Sequence, residues 1–156
     1  MQTIFSNDLL RGLPAEIVRE HIIPFTYSPQ SAELCKDIRN YFETSTYLYD
    51  LYKKRYLVQD IELSEEQYEE DVEWLSNDIT RFMNQDQATM YGYVDFFIQI
   101  YKRMYRLQLM NRDEVVPFIE RTSLYPIPTE INKHIALMCP EERTKLKRFV
   151  NQILED

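Results

Sequence analysis

Four side chains in this 156-residue sequence are of the kinds that do acid–base, nucleophilic or metal chemistry near neutral pH: His21, His134, Cys35 and Cys139. Zinc sites announce themselves by His-Glu-x-x-His on a helix or by closely paired cysteines, and neither spacing occurs. Cys35 with His21 could form a nucleophile and its base. Cys35 stands between Leu34 and Lys36 in a helical stretch, however, and reads as a small packing residue or an exposed thiol. The two histidines read as helix-surface or partly buried groups bonded to a neighbour. The run from Glu62 to Glu73 is rich in carboxylates. A hard cation needs oxygens that converge on one point, whereas a regular helix fans them outward. The run therefore reads as a solvated face, with contact to a basic partner as the alternative. The sequence predicts no catalytic residue, no cofactor and no metal ligand. A small enzyme would require His21, His134, Cys35 or several carboxylates to meet in one pocket.

Glycine usage removes further chemistry. Gly12 and Gly92 are the only two glycines. Dinucleotide fingerprints, phosphate-cradling loops and nucleophile elbows each need closely spaced glycines, so none can exist here. Lys and Arg total 18 against 26 Asp and Glu, a formal net charge of −8. Phosphate binding depends on cations that displace counterions, so no nucleic-acid partner is expected. A local basic group is present at Arg143, Lys145, Lys147 and Arg148. Two cysteines do not make a disulfide framework, and no apolar run of signal length precedes Leu13. The expectation is a protein that is not secreted and works in a reducing compartment. The most apolar stretch, Met90 to Met110, carries Asp95, Lys102, Arg103 and Arg106, which argues against a membrane span.

The elements that would position these residues are helices almost throughout, by apolar spacing. Pro14 suits a first helical position, and Ile17, Val18, Ile22 and Phe25 follow at helical intervals. Ser28 and Pro29 open the next helix. Its stripe of Leu34, Ile38, Tyr41, Phe42, Leu48, Tyr49, Tyr52 and Tyr56 runs to about Leu57, as one helix or as two bent near Glu43 to Ser45. Ser64 and Gln67 match a capping box, and Leu63 and Tyr68 a hydrophobic staple. Tyr68, Val72, Leu75, Ile79 and Phe82 then form one seam. Asp86 is placed to cap a helix over Met90–Met110, apolar nearly all round and so central. Shorter helices are predicted over Asp113–Thr122, with Pro117 in or near the first turn, over Pro128–Met138 and over Pro140–Leu154. The fold expected is an all-α bundle of six to eight helices around a central apolar helix at about 87–110, in a single domain spanning 1–156. Twelve tyrosines and eight phenylalanines suit interfaces as well as half-wet cores, and a homodimer fits that content.

Leu13-Pro14-x-Glu16-Ile17, Ile22-Ile23-Pro24 and then Leu34, Ile38 and Tyr41 resemble the F-box family. The wording LPAEIVREHIIPFTYSPQSAELCKDIRNY is similar to the opening of small proteins of large double-stranded DNA viruses of amoebae and algae, marseillevirus-like ones among them. The resemblance implies an F-box-like subregion over 13–57 that docks on the ubiquitin-ligase adaptor Skp1, with Leu13, Pro14, Ile17 and Ile22 in the docking region. Residues 62–156 form a helical remainder in place of the substrate-reading repeats usual in that family. Two functions follow as expectations. One is a non-enzymatic protein–protein interaction protein of a virus, in the virion or in host cytoplasm or nucleus, with viral or host protein partners and with Leu13, Ile17 and Ile22 buried. The other is an adaptor with those side chains exposed.

Overall fold

Leu, Ile, Phe and Tyr recur at three- and four-residue intervals, and the backbone follows them. The computed structural model describes residues 15–17, 20, 30–56 and 65–155. Among these residues the secondary structure is helical, without a strand. The chain divides into two compact units, Met1–Cys35 and Lys36–Asp156. In the first, the described residues are a single turn at Ala15–Ile17, Glu20 and the stretch that opens the next helix, where Ser31 Oγ accepts the Leu34 N–H.

Six helices follow: α1 (Ala32–Tyr56), α2 (Glu65–Met83), α3 (Asp95–Tyr101), α4 (Arg112–Thr122), α5 (Ile127–Leu137) and α6 (Pro140–Glu155). Two 3-10 turns, Thr89–Tyr91 and Tyr105–Leu107, flank α3. α2 packs on α5 and α6, and α3 packs on α4. One apolar cluster joins them. It takes Leu48 and Tyr52 from α1, Val72, Leu75 and Ile79 from α2, Phe97, Ile98, Ile100 and Tyr101 from α3, Ile131 and Ile135 from α5, and Leu146 and Val150 from α6. Polar clasps tie α1 to its neighbours: Tyr52 to Asp78, Ser45 to Asn132 and Tyr47 to Asn151.

The all-α bundle is as the periodicity predicts, but its centre differs. Residues 90–110 do not form one helix. α3 covers seven residues, and Met90, Tyr91, Tyr105 and Leu109 are exposed. Gly92 at φ +101° breaks the spiral, as a residue without Cβ permits. Buried Asn84 then occupies the groups that a continuing helix would use. Its amide donates to the carbonyls of Gln87 and Gly92, and its oxygen accepts the Val94 N–H. After Tyr101 the chain turns again, and Arg103 reaches across to Glu142 and the Leu137 carbonyl. Asp86 caps nothing; it sits at φ +66° and pairs with Arg81.

Other expectations resolve locally. α1 is one helix, continuous through Glu43 to Ser45. Leu34, Ile38 and Phe42 of its stripe are exposed, Phe42 to 67%. α1 places fully buried apolar side chains in the cluster from Leu48 onward, and ahead of that half-buried Tyr41 packs against it. Before that, within the second unit, it is held by Arg143, which binds Asp37 and Asn40 and stacks on Tyr41. Arg143 is thus buried and not part of a surface basic group. Asp71 is likewise buried while Glu73 is exposed, and the earlier carboxylates of the acidic run lie outside the described side chains. Asn111 caps α4 in a reciprocal capping box with Glu114, and Pro117 lies inside that helix. The Ser28–Pro29 start, and the box and staple at Leu63, Ser64, Gln67 and Tyr68, lie outside the described residues and side chains.

Candidate functional site

Of the residues that the sequence picks out, Ile17 lies in the Ala15–Ile17 turn and is 42% exposed. Leu13, Pro14, Ile22 and His21 fall outside the described residues. Cys35 is exposed, with its thiol 3.9 Å from the Gln30 carbonyl, and Cys139 is half-buried, with its thiol 3.8 Å from a Glu141 carboxylate oxygen. Among the described residues no three His, Cys, Asp or Glu side chains are grouped to hold a metal ion. No described helix is long and apolar enough to cross a membrane.

His134 lies on α5 and is 1% exposed. Its Nε2 is 2.8 Å from the Tyr101 hydroxyl on α3, and its Nδ1 has no partner. Phe97 and Tyr101 meet the ring edge-on, with centroids 5.9 and 5.8 Å away. Burial, with the neighbouring Lys133 charge, lowers the imidazole pKa to about 4, so the ring is neutral at pH 7. Burial pushes the Tyr101 phenol well up. Lys133 donates to Thr122 Oγ1 at 2.9 Å and lies over the rings of Tyr101 and Tyr125. His134 and Tyr101 are both buried. They act as a buried polar joint between α3 and α5.

A cleft of about 460 Å³ opens between α1, α2 and α5. Val72, Leu75 and Pro128 supply its apolar lining, and Ser45, Asp50, Lys53 and Asn132 its polar one. Its size suits a side chain or a small molecule. A second joint lies at the α5–α6 corner. Arg103 grips Glu142 through two contacts of 2.5 and 2.7 Å, and Glu142 accepts the Cys139 N–H at 2.8 Å. That pairing holds the Glu142 carboxyl below its ordinary range.

The most exposed large apolar side chains sit on the connections. Met90 and Tyr91 form the tip of the turn pinned by Asn84, with Tyr91 84% exposed. Tyr105 and Leu109 stand on the α3–α4 connection, Leu109 fully exposed, and Leu124 on the α4–α5 connection. Sequence reading missed Met90, Tyr91, Tyr105 and Leu109 because they belong to the apolar run over 90–110 that reads as core. Gly92 was the available signal for the first turn. Nothing in the sequence announces that Tyr101 and His134 meet.

No protein-family model matches the chain, and no curated protein or solved structure matches it either.

Proposed function

We propose that the chain is a non-enzymatic protein–protein interaction protein that engages its partner through the apolar tips on the connections around α3. One observation carries this reading: Met90 and Tyr91 are almost fully exposed on a turn whose backbone is fixed by three hydrogen bonds to buried Asn84. A fixed apolar tip loses little freedom on binding, which is what a docking residue requires. The resemblance of the N-terminal segment supports viral or host protein partners, in the virion or in host cytoplasm or nucleus, and the aromatic content and small size support a second copy of the chain as a partner. Affinity purification of the tagged full chain, followed by protein identification, tests it. Partners retained by the wild type should be lost from a Met90→Ser/Tyr91→Ser variant that keeps its helical circular dichroism. Equal retention by both would refute the assignment of the tips.

A second reading, an F-box-type adaptor, has its own support in the exposure of Ile17, because a docking residue must be accessible. Mixing the purified chain with Skp1 and comparing it with Ile17→Asp separates the two. A complex abolished by that substitution favours the adaptor, and no complex excludes it.

A further inference from the structure

We propose that His134 is an acid-sensitive latch, in which a second proton on its buried ring breaks the contact with Tyr101 and frees α3, together with the turns on either side of it in sequence, from α5. The argument is one of hydrogen-bonding capacity. An imidazole has two nitrogens, and the interior offers a partner to only one. Nε2 meets the Tyr101 hydroxyl at 2.8 Å, while Nδ1 has none. A bare nitrogen lone pair in that position costs less than a charged N–H with no acceptor. The neutral ring therefore fits and the imidazolium does not.

The surroundings offer the second proton no compensation. On α5 itself the neighbouring charged groups are Glu130 and Lys133. Glu130 is 3.4 Å from Ser76 Oγ of α2, and Lys133 adds a like charge next to the ring. From α3 the ring meets Tyr101 and Phe97, and Tyr93 of the preceding loop stacks edge-on against Phe97. α4 contributes Thr122, already bonded to Lys133 and to the Phe118 carbonyl. α1 contributes Ser45, which bonds Asn132. α6 contributes Arg143, whose guanidinium is held by the Ile135 and Ala136 carbonyls. Among the described residues no carboxylate hydrogen-bonds the ring. The lowered imidazole pKa agrees with this geometry.

α3 is the element that yields. It is the shortest of the six helices, and its contact with α5 includes Phe97 and Tyr101 against this ring and Tyr101 under Lys133. The latch concerns the chain alone and stands or falls without a partner, so it is separable from the docking role of the tips.

Hydrogen exchange on the full chain tests it, read at the Asp95–Tyr101 amides and corrected for intrinsic rates. Between about pH 6 and pH 4.5 the wild-type opening equilibrium should rise roughly tenfold per pH unit, the slope for uptake of one proton. In His134→Gln it should stay flat. An equal rise in both proteins, or none in the wild type, overturns the proposal. Should His134→Gln not fold, nitrogen-15 histidine spectra of the wild type decide, with His21→Asn assigning the signals. His134 should titrate only below about pH 5, together with loss of the native α3 resonances. Titration near the ordinary histidine value with α3 intact overturns the latch.

Discussion

Arg143 places its guanidinium among oxygens of four residues: Asp37 and Asn40 of α1, and the Ile135 and Ala136 carbonyls at the end of α5. The last carbonyls of a helix lack intrahelical partners, and a planar fork satisfies several at once. A lysine cannot copy that fork. Arg143→Lys should therefore cost about 2 kcal/mol, read from the urea midpoint at constant slope. Glu142 gives a pH-dependent counterpart. Its native carboxyl is held low, chiefly by the Arg103 hydrogen bonds. Its stabilisation is full above the ordinary carboxylate range and disappears as pH falls through the lowered native value. Because Arg103 is partly solvated, Glu142→Gln should cost only about 1 kcal/mol at pH 7. As pH falls through that lowered value, variant and wild type should converge.

Elements divide by what terminates them and by what they face. The turn between α2 and α3 depends on two residues in different ways. Asn84 is buried with three hydrogen bonds, and Asn84→Ala leaves two carbonyls and an N–H without partners, a loss of about 2–3 kcal/mol. Gly92 has open space where a Cβ would lie, so Gly92→Ala meets only the backbone penalty of a φ +101°, ψ 179° conformation that glycine alone readily adopts, about 1–3 kcal/mol. Thermal melts in which either variant matched the wild type would contradict this account. α1 makes the same point along its length. Leu48→Ala should cost about 2–5 kcal/mol, and Phe42→Ala within about 0.5 kcal/mol of nothing. Periodicity revealed α2, α5 and α6 almost to the residue, because each presents a single seam to its neighbours. It failed at 90–110, where aromatic and aliphatic residues suit a buried helix and an exposed turn equally well. One residue, Gly92, and a side chain eight positions earlier, Asn84, decide between them. The candidate site was less legible still. The Tyr101–His134 joint is a long-range contact with no local signature, and the docking tips carry the same residue types as the core.

Across the molecule, the Lys36–Asp156 unit shares one apolar cluster to which all six helices contribute. A cluster of that kind leaves no helix a separate core, so the unit should unfold in one step. Leu75→Ala on α2, Ile131→Ala on α5 and Leu146→Ala on α6 should lower the same cooperative midpoint, each by about 2–5 kcal/mol. None should split the transition. The probe matters for this test. Trp74 is the only tryptophan and is exposed on α2, so its emission should change little on unfolding. Far-ultraviolet circular dichroism is the appropriate signal, with tyrosine emission as a second, since Tyr52 and Tyr101 lie in the cluster. Coincident curves from these two probes, in all three variants, are the expected result. A variant in which the helical signal decays in two phases would mean that the cluster is two cores, and that the turns around α3 rest on a separately melting support.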